Sequence, residues 1–404
     1  MTSNYYLKKL NSMPVILLLL LAGNIVNGQK TNGTPGKPSK PIVVPFEARF
    51  FDTTNQKAEF AVYKGIKAMK ILPGNGQVIL KNLLFRDGTI EFDTQPVDVM
   101  KPAFVSVYFR MESAAENECV YLRTKPDEHE QRNDAVQYAP IIHGVNIWDL
   151  MGHYQAPAII HNQDWNHIKL VISGLQMRVF VNDMVRPALQ IPHLEGISLK
   201  GSLAFEGLAY FANLVVKPNA VEDLSPVAGA DLTEHEANYI RYWQVTKPRF
   251  LDKGRELTKD NLPADTTKWE QINAERRGLI NLTRTFGGVE NRYGGVQDKD
   301  RFVWLKAVVH ADKDQINQMQ LGFSDEVSVF INGGQLYTDK NDYLQPIRKY
   351  PNGRCDIANV TFSLPLKAGD NEILIGVTNY FYGWGVIARL YQMDGIKIKQ
   401  PMAL

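Results

Sequence analysis

The sequence is poor in cysteine: among its 404 residues only Cys119 and Cys355 carry a thiol. Two cysteines cannot make a thiolate zinc centre. Nothing in their spacing demands a disulfide, and Cys119, inside the strand-like run 118–123, reads as a small buried hydrophobe. Charge of one sign is also lacking. Lys and Arg number 45 against 43 Asp and Glu, a net charge of +2, which argues against a broad nucleic-acid surface. Beyond residue 28 no run reaches the ~18 apolar residues of a membrane helix. Helical periodicity is scarce, and there is no Gly-x-Ser-x-Gly elbow, phosphate loop or dinucleotide fingerprint. His129, His143, His153, His161 and His167 fall in one third of the chain, but their irregular spacing advertises no metal triad.

What is present begins with a targeting segment. Residues 1–28 read as a signal peptide: Lys8 and Lys9 give a positive start, 15–22 an apolar core too short to span, and Val26-Asn27-Gly28 a cut before Gln29. The alternative is an uncleaved signal anchor. The expected product is secreted or periplasmic, with no membrane span after signal removal. Residues 29–41, rich in Gly, Pro, Lys, Ser and Thr, read as a linker. Asn-x-Thr triplets stand at Asn32, Asn281 and Asn359, glycan acceptors only in a eukaryotic secretory path.

Two near-identical phrases organise the remainder: Val179-Phe180-Val181-Asn182-Asp183 and Val329-Phe330-Ile331-Asn332-Gly333. Each alternates at period 2 and breaks at a tight-hairpin dipeptide. They are too far apart for one hairpin and suit two domains. Short strand candidates with turn signals fill 42–218 and resume after Tyr239, the grammar of a sandwich or jelly roll. The fold class expected is all-β, two tandem β-sandwich (jelly-roll) domains at 42–218 and 231–404, with 219–230 as linker. Thr233 and Glu236 have capping-box spacing, so a short helix is expected to open the second unit.

Phe85-Arg86-Asp87-Gly88-Thr89-Ile90-Glu91-Phe92-Asp93, then Tyr108-Phe109-Arg110, Asp134-Ala135-Val136-Gln137-Tyr138, Asp164-Trp165-Asn166-His167 and the 179–183 phrase follow in order. Together they resemble the concanavalin A-like lectin/glucanase superfamily, nearest its laminin-G-like jelly rolls. From Trp243 onward, Gly278-Leu279-Ile280-Asn281-Leu282, Leu321-Gly322-Phe323-Ser324-Asp325 and Gly383-Trp384-Gly385 resemble a galactose-binding-like jelly roll. The first unit is more distantly similar to 3-keto-disaccharide hydrolases around Trp165-Asn166 and Gln137-Tyr138. Their Asn-Ser-Gly phrase is replaced here by Ser106-Val107-Tyr108. The resemblance implies an exported carbohydrate-binding protein, an accessory to polysaccharide breakdown, whose partner is a glycan or glycoside. It also implies no required cofactor, with a structural Ca²⁺ as a feature of both jelly-roll kinds. Asp325 and Glu326, or Asp370 and Asp342, are carboxylates in reach of that role, though none forms a fixed calcium loop.

Glucanases of this fold place nucleophile and acid on one strand face. Glu91 and Asp93 share a face here, but Thr94, Gln95 and Pro96 follow, so the third carboxylate is missing. The pair reads as solvated outer-face residues opposite Ile90 and Phe92. Tyr108 and Arg110 share a face, as do Tyr121 and Arg123, and Gln137, Tyr138, His143, Trp148 and His153 follow in reach. Rings stack on sugar C–H faces while planar Arg and amide donors meet hydroxyls. The expected ligand-binding set is therefore Tyr108, Arg110, Tyr121, Arg123, Gln137, Tyr138, Trp148 and Trp384, with no catalytic residue assigned. Two readings compete: aromatics that merely cover a core, with Trp384 packed between domains, and an enzyme whose acid is Glu91, Glu118 or Glu206. A third is a structural adhesion or assembly module.

Overall fold

The computed structural model describes residues 36–97, 103–124, 133–289, 299–343, 345–351 and 353–400. The signal peptide, Asn32, His129 and most of the 29–41 linker lie outside the described residues. The chain is built from antiparallel β-sheets stacked in pairs. Among the described residues, helix is confined to Leu282–Phe286 and three single turns of 3₁₀ type.

One eight-stranded sheet has at its centre Asn166–Ser173, Gly88–Pro96 and Ala209–Pro218. It faces a nine-stranded sheet centred on Glu116–Arg123, Phe104–Ser113 and Ser202–Glu206. Period-2 alternation decides what lies between them. Ile90 and Phe92 point in from the first sheet, and Val105, Val107 and Phe109 from the second; all are nearly fully buried. Phe205 joins the layers, its ring edge-on to Phe92 at 5.4 Å.

The second sandwich packs an eight-stranded sheet, built around Lys299–Ala311 and Gly369–Asn379, on four strands that include Gln315–Ser324 and Gly385–Leu390. Val303, Leu305, Ala307 and Val309 alternate into its core with Met319, Leu321 and Phe323. On the other face of Lys299–Ala311, Phe302 and Trp304 are buried under Leu257. The first sandwich's core reaches across the junction to take in Tyr239, Leu279, Cys355 and Ile387.

The two repeated phrases end differently. Ile331 pairs with Gly334, so Asn332 and Gly333 alone make the turn, at φ 48° and 76°. Two positive φ values mark the tight hairpin that the dipeptide demands. After Val181 the chain makes no tight hairpin, because Met177, Arg178 and Val179 pair instead with Ile191, Gln190 and Leu189. Asp183 Oδ1 organises the longer loop by accepting from Val185 and Arg186 backbone N–H groups at 2.9 and 3.0 Å. No helix opens the second unit at Thr233. Asp231 Oδ1 accepts its N–H at 3.0 Å and the Glu236 carboxylate pairs with Arg389 at 3.7 Å, so only turns form. Nor do two Asn-x-Thr amides stand free: Asn281 is 2% exposed and caps Arg284 N–H, and Asn359 Nδ2 donates to Tyr350 and Arg354 carbonyls. The two cysteines are buried and no disulfide joins them.

Candidate functional site: a cleft between the sandwiches

The outward face of the nine-stranded sheet carries a row of polar side chains. Residues directly opposite one another in an antiparallel pair share a face. Glu206 pairs with Ser106, Ser106 with Tyr121, and Tyr121 with Gln137, so four side chains line up across four strands. The neighbouring row holds Ala204, Tyr108 and Cys119, and Phe104 pairs with Arg123 at the other side. Above this floor lies a cleft of about 450 Å³, within the ordinary range of ligand sites. Ser106, Tyr108, Tyr121, Arg123, Glu206 and Phe104 form its floor; Asn75 and Trp148 come from loops and Asn146 from the short edge strand Val145–Asn146 of the same sandwich. Tyr343, Phe381 and Tyr382 of the second sandwich close it.

The floor is tied by hydrogen bonds that leave few rotamers open. Arg123 donates to Gln137 Oε1 at 2.5 Å, the Tyr121 hydroxyl at 3.1 Å and the Asp134 carbonyl at 2.7 Å. Gln137 turns its Nε2 the other way, to the carbonyls of Trp148 at 2.9 Å and Met151 at 3.3 Å. One amide thus fixes the loop that presents Trp148. The Asp134 carboxylate lies 3.8 Å from Arg123 and 3.5 Å from Arg354. The Arg354 guanidinium in turn covers the Trp148 ring at 5.2 Å. Burial and the nearby Arg123 lower the Arg354 pKa below the usual guanidinium value, and burial pushes the Tyr121 phenol up. At the far side the Tyr108 hydroxyl donates to Glu206 Oε2.

The roof is aromatic. Trp148 meets Tyr343 edge-on at 4.8 Å, Tyr382 at 6.0 Å and Phe381 at 6.4 Å. Phe104, 57% exposed, stands at the mouth with its ring 5.7 Å from Tyr121. The cleft therefore offers ring surfaces, a carboxylate, a hydroxyl and the buried Asn146 Oδ1, which has no partner among the described residues.

Of the side chains expected to bind ligand, Tyr108, Tyr121, Arg123 and Trp148 come together on this cleft, with Gln137 directly behind them. Arg110, Tyr138 and Trp384 do not. The strand bulges between Phe109 and Ser113, and Arg110 takes φ 49°, which breaks the alternation that would have set it beside Tyr108. Its guanidinium is buried, donating to Asp87 Oδ1 at 2.9 Å and the Arg86 and Gly174 carbonyls. Tyr138 follows Gln137 along one strand and so must face the opposite way. Its hydroxyl donates to Glu118 Oε2 at 2.7 Å, inside the sandwich. Trp384 is 0% exposed in the second core, its Nε1 donating to the Gly287 carbonyl at 2.8 Å.

The three candidate acids also separate. Glu91 lies on the outer face, paired with Lys217 at 2.8 Å, and Asp93 with His167 at 2.6 Å. Burial raises Glu118 to about 7, but it sits with Tyr138 away from the cleft. Only Glu206 reaches the cleft. Among the carboxylates considered for calcium, Glu326 pairs with Lys340 at 2.9 Å and Asp370 with His310 and Lys399. Asp325 is turned inward onto backbone N–H groups. Among the described residues no three His, Cys, Asp or Glu side chains converge as a metal site requires. His153 is half-buried against Tyr154, and desolvation with the nearby Arg277 and Arg276 lowers its pKa to about 3.

Sequence reasoning left out Phe104, Ser106, Asn75, Asn146 and Tyr343. Phe381 and Tyr382 lie in the aromatic run Tyr380-Phe381-Tyr382 between Asn379 and Gly383, a local signal of a ring-bearing loop. Tyr343 carries none, since only folding of the second sandwich brings it to Trp148.

No protein-family model and no curated protein matches the sequence. Solved structures do. A carbohydrate-binding module from Bacillus subtilis is similar at 16% identity, over 42% of this chain and 92% of that one, with a TM-score of 0.29. A galectin-like protein of unknown function from Bacillus subtilis matches at 10% identity over 46% and 97%, TM-score 0.33. A glycosyl hydrolase, described as putative, from Parabacteroides distasonis matches at 11% over 43% and 91%, TM-score 0.29.

Proposed function

We propose that this is an exported carbohydrate-binding protein whose cleft takes a short stretch of a glycan or glycoside, in service of polysaccharide breakdown. The observation that carries the reading is the cleft's composition: a polar row, Glu206–Ser106–Tyr121, beneath the rings of Trp148, Tyr343, Phe381 and Tyr382. A sugar has apolar C–H faces and a rim of hydroxyls, and it matches rings on one side and hydrogen-bonding groups on the other. The two tandem sandwiches act as one binding unit in this reading, since each supplies part of the wall.

The test is a glycan array with the full mature chain, followed by titration of each hit against Trp148→Ala and Phe104→Ala. Loss of one ring–sugar contact is expected to weaken binding by roughly tenfold, on the order of 1–1.5 kcal/mol. Phe104 is exposed enough that its removal leaves the fold alone. Unchanged affinity in both variants places the ligand elsewhere. Glu206 favours a second reading, a glycoside hydrolase or lyase, because it is the acid that reaches the cleft. Released reducing sugar that disappears in Glu206→Gln, with binding retained, would establish that reading instead.

A further inference from the structure

Two acids without a counter-charge meet where the sandwiches join, immediately behind the cleft. Asp149 follows the cleft residue Trp148 in the first sandwich; Asp325 follows the Gln315–Ser324 strand in the second. Both are buried, at 1% and 2% exposure. Ser324 Oγ lies 3.2 Å from Asp149 Oδ2, 3.2 Å from Asp325 Oδ1 and 3.4 Å from the Gly383 carbonyl. Three acceptors surround a hydroxyl that has one proton to give. With both aspartates ionised, at least one charged oxygen would face only lone pairs in a buried site.

The remaining contacts say where the extra proton goes. Asp325 Oδ2 accepts from Tyr380 N–H at 2.8 Å, Phe381 N–H at 3.0 Å and Asn379 Nδ2 at 3.3 Å. Donors on a carboxyl favour its ionised form. Asp149 Oδ1 accepts no well-formed hydrogen bond among the described residues, although the N–H groups of Asp149, Gly383 and Leu150 lie close enough to this carboxyl to oppose part of the burial effect. We propose that Asp149 is held as a carboxylic acid that donates to Ser324 Oγ, which donates to the Asp325 carboxylate. This chain of hydrogen bonds clamps the second sandwich's part of the roof onto the first-sandwich loop that presents Trp148. Asp149 and Asp325 are positioning residues: one end of the chain adjoins Trp148, and the other fixes the backbone that carries Phe381 and Tyr382.

The surroundings favour a proton over an ion pair. Facing the pair are Asp342, whose buried Oδ1 has no partner among the described residues, the Tyr380 phenol hydrogen-bonded to Asp342, and the Cys355 thiol. Lys340 acts on Asp342 and Arg277 on Cys355. Neither Asp149 nor Asp325 has an ion-pair partner among the described residues. Burial pushes Asp149 up to about 8, and burial with the Asp149 charge pushes Asp325 up.

The sign follows from linkage. Asp149 has an ordinary carboxyl pKa when unfolded and a raised one when folded. Its contribution is fully present below about pH 4, is lost progressively up to about pH 8, and is level above. In that window the folded state holds one proton more, so the unfolding constant rises about tenfold per pH unit. Glu118, raised to about 7, adds a parallel slope, so the readout is a difference between variants.

The experiment is urea unfolding of wild type and Asp149→Asn between about pH 5 and pH 8. The Asn amide stays neutral and can donate to Ser324 in the acid's place. The ratio of the two unfolding constants is expected to change about tenfold per pH unit; parallel curves would overturn the proposal. Should the variant not fold, infrared spectra of wild type carrying isotope-labelled aspartate decide it. An acid carbonyl band at pH 7 that vanishes in alkali is expected, and carboxylate bands alone would overturn it. A calcium- or chelator-dependent shift in wild type but not in the variant would also overturn it, by assigning the pair to a cation. The consequence for ligand rests on the glycan reading; the proton does not. A glycan found by the array is expected to bind wild type more weakly above about pH 8, and the variant evenly. The unfolding ratio tests the clamp even if no glycan binds.

Discussion

Arg110 shows how one residue can carry site chemistry and still be structural. Its contacts with Asp87 are made at 1% and 3% side-chain exposure, and Asp87 Oδ1 also accepts Gly174 N–H at 2.8 Å. Removing the guanidinium breaks a buried pair and leaves Asp87 only the half-exposed Arg86, at 3.4 Å; breaking such a pair costs about 3–5 kcal/mol. Arg110→Ala is therefore expected to lower the urea midpoint sharply while any folded fraction binds glycan normally. A stable variant with weakened binding would return Arg110 to the cleft. Gln137 behaves differently, because it touches no ligand space yet joins Tyr121 and Arg123 to the Trp148 loop.

At the scale of the strand, alternation made most of the floor readable from sequence. Val105, Val107 and Phe109 against Ser106 and Tyr108 follow from period 2 alone, as does the shared face of Tyr121 and Arg123. The same rule set Gln137 and Tyr138 on opposite faces, so both could not line one cleft. What alternation cannot show is where it stops. The bulge after Phe109 is marked by no glycine or proline, and it moved Arg110 from one face to the other. The two hairpin phrases illustrate the same limit: identical local grammar gives a turn at Asn332–Gly333 and a longer loop after Val181, because partner strands decide. In the tight turn a Cβ on Gly333 meets nothing within 4 Å, so only the positive φ opposes it. Gly333→Ala is expected to cost roughly 1–2 kcal/mol, or about 2–8 °C in melting temperature. An unshifted melt would mean that the turn relaxes freely.

At the scale of the whole molecule, the two sandwiches share more than a linker. Arg284 Nη2 donates to the Glu195 carbonyl at 2.7 Å, Cys355 N–H to the Asp149 carbonyl at 2.8 Å, and the Arg354–Asp134 pair crosses the same seam. Tyr239, Leu279, Cys355 and Ile387 pack into the first core. A single calorimetric transition is expected, with calorimetric and van't Hoff enthalpies equal. Two resolved transitions would mean that each sandwich unfolds on its own. This coupling was the least legible property of the sequence: composition and turn signals divide the chain in two, and nothing local reports that Tyr343 will meet Trp148.

The division of the cleft into floor and roof has a consequence for how substitutions act on it. The floor's side chains are locked to one another across adjacent strands, so a substitution there disturbs several partners at once. Beside Trp148, the roof's rings Tyr343, Phe381 and Tyr382 stand on loops of the other sandwich and pack on Trp148 and on one another. On the glycan reading, exchanges at Tyr343, Phe381 and Tyr382 are expected to alter which ligand binds while the Glu206–Ser106–Tyr121 row stays in place. The proposed site thus draws its polar row from the first sandwich and three of its rings from the second.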